Sequence, residues 1–215
     1  MKKEIYKPYQ IILLCIFSIV INYCGSSLAN FYRLPLWLDS FGTFLTAYAQ
    51  GPVCGSIVGI AGNLIYGFVN PVTAIYSITS VCIALVFGEM AKHGWMQKLT
   101  KAITLSVLVG FVSTITSVML NIIFYGGSVG NIWGDGLVAL LEKWNIPYPV
   151  RIVLGQFYLE FFDKLITILA LYGFIRLYRM IIANIQSKKT VEPPKKLGII
   201  CLLLLSGLSG FKNQE

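Results

Sequence analysis

Charged residues are scarce in this chain. Asp, Glu, Lys and Arg make up 12% of its 215 residues, whereas they make up about a quarter of an average soluble domain. Apolar residues make up 56% of the chain, and its mean hydropathy is +0.74. This composition excludes an ordinary soluble domain and predicts an integral membrane protein.

Motifs for catalysis and metal binding are missing too. The sequence has one histidine, His93, and it contains no GxxxxGK[ST] phosphate loop, no HExxH pair and no GxSxG elbow. The cysteines are scattered through apolar runs, which predicts neither a disulfide framework nor a metal site. We therefore expect no enzyme activity, no cofactor, no metal and no ATP hydrolysis by this chain itself.

Long apolar runs predict an all-α integral membrane protein built as a six-transmembrane-helix bundle. One crossing needs about 20 apolar residues, and turn signals at Gly51-Pro52 and Asn70-Pro71 separate neighbouring runs. The predicted spans cover residues 9–31, 35–50, 53–69, 72–90, 100–125 and 150–175. A cleavable signal peptide is the alternative for the first run, but such peptides usually have only about 7 to 15 apolar residues.

The remaining segments complete the predicted organisation. Residues 1–8 form a basic cytoplasmic N-terminus and residues 9–180 the six-helix membrane domain. Residues 181–196 read as a charged linker, and residues 197–215 as a short hydrophobic C-terminal segment with a tail. Within the membrane domain, the stretch between the last two spans is too polar to cross, and residues 137–144 are predicted to lie on the surface as an amphipathic helix.

Lysine and arginine are distributed unevenly between the two sides of this bundle. The side of the N-terminus holds Lys2, Lys3, Lys7, Lys92, Lys98, Lys101, Arg176, Arg179, Lys188, Lys189, Lys195 and Lys196. The opposite side holds Arg33, Lys143 and Arg151. Because positive loops stay in the cytoplasm, both termini are predicted to be cytoplasmic. A basic inner face beside anionic lipid also explains the net charge of +8, so we expect membrane lipid and no nucleic acid as a partner.

The sixth span carries polar side chains that lipid would not tolerate. Gln156, Glu160, Asp163 and Lys164 fall on one side of the helix, and Glu160 and Lys164 have the i, i+4 separation of an ion pair. A charge at the bilayer centre costs about 2.5 to 3.5 kcal/mol, so these groups should face the protein interior or a water-filled cavity. Two interpretations stay open: a polar ligand site that opens to the outside, and a structural cluster that ties this helix to its neighbours.

Three further side chains, those of Asp39, Asn121 and Trp133, are candidates for the same site. Asp39 either lines the outward cavity or caps the first turn of the second span. Asn121 and Asn63 lie within spans, where an amide bonds across helices with or without a ligand. Trp133 either stacks on a planar ligand or anchors the membrane interface. Acidic groups with aromatics would suit a cationic or hydrogen-bonding heterocycle, and the predicted substrate-binding residues are Asp39, Asn121, Trp133, Gln156, Glu160 and Asp163.

Small residues recur every four positions around the third span. The set is Gly51, Gly55, Gly59, Asn63 and Gly67. This spacing places all of them along one helix face, and small residues let helices approach closely in a membrane. We expect this face to contact another helix, either within the protein or on a partner.

The stretches LPLWLDSFGTFLTAYAQGPVCGSIVGIAGNLIYGF and FYLEFFDKLITILALYGFIR resemble the substrate-binding S component of an energy-coupling factor (ECF) transporter. The resemblance covers about residues 9–179. It implies a multi-pass protein of the prokaryotic plasma membrane that captures a vitamin or related micronutrient from outside. It also implies partners: a transmembrane coupling subunit and two ATPase subunits that drive uptake.

One departure from the family pattern concerns the first span. Family members often present Ala-x-x-x-Ala there for the coupling subunit, whereas this chain has Ser18, Asn22 and Ser26 at that spacing. The alternative function is a ligand-sensing transmembrane module of a signalling system, since similar helical domains can precede cytoplasmic signalling domains.

Overall fold

The computed structural model describes residues 8–188, and this part of the chain is helical with no strand. Its helices are α1 (Pro8–Phe31), α2 (Phe41–Gln50), α3 (Pro52–Tyr66), a 3-10 helix (Pro71–Tyr76), α4 (Ser77–Lys92), α5 (Leu99–Tyr125), α6 (Ile132–Lys143) and α7 (Tyr148–Lys188). The predicted short hydrophobic segment and tail lie outside the described residues. The all-α fold class is confirmed for the described part.

Four helical stretches in residues 8–188 are long and apolar enough to cross a membrane. They are Pro8–Phe31, Pro71–Lys92, Leu99–Tyr125 and Tyr148–Asn184, which is the pattern of a multi-pass membrane protein. The other two predicted spans form shorter helices. With a rise of about 1.5 Å per residue, the 10 residues of α2 extend about half of the roughly 30 Å hydrocarbon core. Of the six predicted spans, four thus form helices of full crossing length.

The prediction for the second span is wrong at its start. Residues 35–40 form a non-helical connection, and the helix begins at Phe41. One local cause is visible, because Leu38 has a left-handed backbone with φ of 54°, which a right-handed helix does not contain. The backbone N–H groups of Trp37 and Leu38 bond to the carboxylate of Asp163 instead of to helix carbonyls.

Two other boundaries differ from the sequence prediction. The surface helix begins earlier than predicted, at Ile132, because the side chain of Asn131 caps it by accepting from the backbone N–H of Trp133 at 3.0 Å. The last helix continues beyond residue 175 to Lys188, into the segment predicted as a linker.

The glycines of α3 lie inside the bundle, between α2 and α4. A Cβ at Gly55 would stand 2.5 Å from Cβ of Ala47 on α2, and one at Gly59 would stand 2.7 Å from Cβ of Ser80 on α4. The side chain of Asn63 donates to the hydroxyl of Ser80 at 2.7 Å. Small residues thus permit close packing within the protein itself.

The two outer glycines of that series are not part of the packed face. Gly51 forms the turn between α2 and α3, where its φ of 94° is a conformation that glycine adopts without strain. Gly67 ends α3, and its backbone N–H donates to the carbonyl of Asn63 at 2.8 Å. The predicted five-residue stripe is therefore a three-residue contact between two turns.

The interior of the bundle is divided along α5 and α7. What we call the apolar half is a cluster of buried side chains that includes Phe44, Phe87, Leu105, Ile168 and Leu171. What we call the polar half consists of the buried Ser113, Ser117 and Asn121 of α5 with Gln156, Glu160, Asp163 and Lys164 of α7. The polar half lies toward the bundle end where α5 ends and α7 begins.

Candidate ligand-binding site

A buried ammonium group stands at the centre of the polar half. Lys164 is 3% exposed, and its Nζ lies 2.7 Å from Oδ2 of Asp163 and 3.0 Å from Oγ of Ser40. Oε2 of Glu160 is 3.4 Å away, and Oδ1 of Asp39 is 3.7 Å away. A buried charge is tolerated only with close partners of opposite sign. Here one ammonium is shared by three carboxylates.

Glu160 has partners at both carboxylate oxygens. Oε1 accepts from Ser117 Oγ at 3.1 Å and from Gln156 Nε2 at 2.7 Å. Oε2 accepts from Ser113 Oγ at 2.6 Å and pairs with Lys164, so the predicted i, i+4 ion pair is confirmed. The two serines are one turn apart on α5, which brings both hydroxyls to the face that meets α7.

Asp163 holds the connection between α1 and α2 in place. It is fully buried, and its Oδ1 accepts from the backbone N–H groups of Trp37 at 3.0 Å and Leu38 at 2.8 Å. Its Oδ2 binds Lys164. A carboxylate with these three partners has little capacity left for a ligand.

A chain of hydrogen bonds joins the 3-10 helix to α5 and α7. Tyr76 donates its hydroxyl to Oδ1 of Asn121. Asn121 Nδ2 donates to Oε1 of Gln156 at 3.0 Å, and Gln156 continues the chain to Glu160. Asn121 is fully buried. Such a network fixes the relative positions of its members, because every polar group in it is satisfied.

A cleft opens beside this network. Of the residues predicted from the sequence, Asp39, Gln156 and Glu160 line it, whereas Asn121 and Asp163 do not. Trp133 lines neither this cleft nor the adjoining one. Its ring is half exposed, and its Nε1 donates to the backbone oxygen of Arg33 at 2.7 Å.

Several lining residues were missed by the sequence analysis. They are Trp37, Ser40, Tyr76, Thr79, Ser80 and Lys164. Serine and threonine in a predicted span do not by themselves indicate a ligand site. Their hydroxyls can bond to the backbone carbonyl one turn earlier, as those of Thr104 and Thr116 do in α5. Lys164 was noticed as part of the cluster but not assigned to a ligand.

An adjoining cleft lies toward the end of α1. It shares Trp37, Asp39 and Asn63 with the first cleft, and Arg33 is the cation in its lining. The two clefts are therefore neighbours, and residues of the connection between α1 and α2 line both.

Asp39 does not cap α2, so that interpretation is wrong. The N-cap residue is Ser40, and no side-chain hydrogen bond caps the helix. Asp39 instead accepts from the Ser40 hydroxyl at 2.6 Å, and 29% of its side chain is exposed. It is the carboxylate of this cluster that is accessible from both clefts.

Trp37 presents an unsatisfied donor. Its indole Nε1 is buried and has no hydrogen-bond partner, although the residue lines both clefts. Leaving a buried donor unpaired costs about 1 to 3 kcal/mol. A ligand that brings an acceptor would remove this cost.

Comparison of the chain with protein-family models, curated proteins and solved structures found no match. The resemblance to ECF S components is thus carried by the residues quoted above alone. Within residues 8–188, no group of three or more His, Cys, Asp or Glu side chains is arranged to hold a metal ion.

Proposed function

We propose that this chain is the substrate-specific membrane component of an ECF-type importer, which captures a vitamin or related micronutrient from outside. The observation that carries the proposal is the cleft lined by Asp39, Glu160 and Lys164. Charged groups in a membrane bundle are costly, and they usually mark a substrate or ion pathway.

The proposed topology has six crossings with both termini cytoplasmic. In this arrangement α2 and α3, joined by the turn at Gly51, form the short crossings and α6 lies at the surface. Support comes from the basic residues Lys92, Lys98 and Lys101, which follow the end of α4 or begin α5, at the bundle end opposite the cleft. The positive-inside rule places that end in the cytoplasm, so the cleft opens to the outside.

Uptake requires partners in this proposal, because the sequence has no ATP-binding motif. The partners are a transmembrane coupling subunit and two ATPases, and the chain itself is not an enzyme. Ser18 and Asn22 of α1 are buried against α2, where Ser18 accepts from Thr46 at 2.8 Å and Asn22 donates to Thr43 at 2.9 Å. The glycine face of α3 is also packed internally. Docking on the coupling subunit therefore uses helix faces other than the buried face of α1 and the glycine face of α3.

Mass spectrometry of released compounds tests ligand capture. Detergent-purified protein is incubated with the small-molecule fraction of a rich growth medium, washed and denatured. We expect one compound to be enriched over an unrelated membrane protein treated in the same way. Because Glu160 lines the cleft and holds Gln156 and Lys164 in place, the isosteric Glu160→Gln variant should retain less of it, whereas Glu142→Gln, at an exposed carboxylate of α6, should retain it.

Two results would count against the proposal. No enrichment in the wild type would remove the capture function. Retention by Glu160→Gln at the wild-type level would place the ligand outside the cleft.

A ligand-sensing module is the second candidate function, and one observation favours it. Helix α7 continues to Lys188, and a helix that passes from a ligand site toward the cytoplasmic side could carry a signal. Purification from native membranes in mild detergent separates the two functions. Co-purified ATPase subunits favour transport, and a co-purified kinase or cyclase favours sensing.

A further inference from the structure

The charges around the cleft do not balance. Asp39, Glu160 and Asp163 surround the single ammonium of Lys164, all within 3.7 Å of its Nζ. No other described lysine or arginine lines the main cleft. At the same end of the bundle, Arg151 is paired with Glu142 at 2.9 Å, and Arg33 is an exposed residue of the adjoining cleft. The cluster therefore carries an excess of negative charge.

This excess is available to a ligand at Asp39 and not at the other two carboxylates. Glu160 and Asp163 are each held by several short hydrogen bonds, and their side chains are 5% and 0% exposed. Asp39 is the most distant of the three from Lys164, and its side chain is 29% exposed. A carboxylate has room for about four hydrogen bonds. Asp39 can accept from a group that enters either cleft.

Trp37 adds an independent requirement. Its buried Nε1 has no acceptor, and its backbone N–H is fixed by Asp163. The ring therefore belongs to a segment whose position is set by α7. Because Nε1 has almost no accessible surface, a ligand acceptor reaches it once the indole ring turns toward the wall that Trp37 and Asp39 share.

We infer that the cleft recognises a ligand with a positively charged nitrogen, which pairs with Asp39, and with an acceptor atom that takes the indole N–H of Trp37. This inference rests on the proposed capture function and names the charge class of its substrate. Lys164 does not meet a ligand carboxylate in this arrangement, because Asp163 and Glu160 already hold it. Asp39 and Trp37 contact the ligand, and Asp163 acts as a positioning residue for both.

The test uses the compound that the purified wild-type protein retains from the growth-medium fraction. Ion-exchange chromatography at pH 7 gives the charge of the released compound, and mass spectrometry gives the amount retained per protein. We expect a cation. Asp39→Asn should lower the affinity by about tenfold or more, and Trp37→Phe, which keeps a ring and removes the N–H, by about three- to tenfold.

Glu142→Gln is the matched control, because it removes one carboxylate at the same end of the bundle outside both clefts. Thermal unfolding of each ligand-free variant checks that it is folded. A compound without a positively charged nitrogen would overturn the inference while leaving ligand capture intact. If folded Asp39→Asn and Trp37→Phe retain as much compound as the wild type, the inference is also overturned, and ligand capture still stands. If the wild type retains nothing, the proposed function itself fails, and this inference with it.

Discussion

The two halves of the bundle are equally buried but have opposite chemistry. Along α7, Ile168 and Leu171 belong to the apolar half, whereas Glu160 and Lys164 belong to the polar half only one to three turns away. The apolar half gains stability from close packing. The polar half must offset the desolvation of three charged groups, which hydrophobic side chains of the same size would avoid. Such a cost is expected where a site binds something, so the difference indicates that the polar half serves more than stability.

The largest loss of stability is expected when the polar half loses its only ammonium group, that of Lys164. Lys164→Met leaves Glu160 and Asp163 buried without their cation, and removing one partner of a buried ion pair costs about 3 to 5 kcal/mol. We expect a large drop in the thermal unfolding temperature of the detergent-purified protein. Lys143→Met, at an exposed position of α6, is the control and should have little effect. Equal stability of the two variants would show that the ammonium is not needed to neutralise this cluster.

The next effect belongs to the apolar half. Leu171 is fully buried, and Leu→Ala in a packed core costs about 2 to 5 kcal/mol because a cavity remains. Leu171→Ala should lower the free energy of unfolding while the folded fraction keeps its ligand affinity. Leu177→Ala, at an exposed position of the same helix, is the matched control. Loss of ligand affinity by folded Leu171→Ala would mean that the two halves are coupled.

A smaller effect is expected where α3 meets α2. A side chain at Gly55 would overlap Ala47, and overpacking usually costs about 1 to 3 kcal/mol. Gly55→Leu should therefore lower the unfolding temperature. Gly173→Leu is the control, because a Cβ at this position of α7 meets nothing within 4 Å. If both variants unfold at the same temperature, the close contact of α2 and α3 does not matter for stability.

Local patterns made part of this structure predictable. The i, i+4 spacing of Glu160 and Lys164 predicted their ion pair, and apolar runs predicted the helices. Spacing could also show that Gly55 and Gly59 share a face. It could not show which helix that face meets, because a small-residue stripe serves an internal contact and a partner equally well.

The walls of the cleft depend on contacts between residues far apart in sequence. Asp163 bonds to Trp37 and Leu38, which are 126 and 125 residues away, and this contact competes with helix formation in residues 35–40. Local propensity therefore predicted a helix where a distant carboxylate holds a non-helical segment. For the same reason, Trp37 was missed as a lining residue and Asp163 was overestimated as one.

The central claim is that the cleft beside the polar half binds a ligand and the apolar half supports the fold. The most direct measurement compares Asp39→Asn with Leu171→Ala, with ligand retention and unfolding temperature determined on the same preparations. The account predicts opposite results: Asp39→Asn loses the retained compound at nearly unchanged stability, and Leu171→Ala loses stability but keeps the compound per folded protein. If retention follows stability in both variants, the polar half is a structural cluster and the account is wrong.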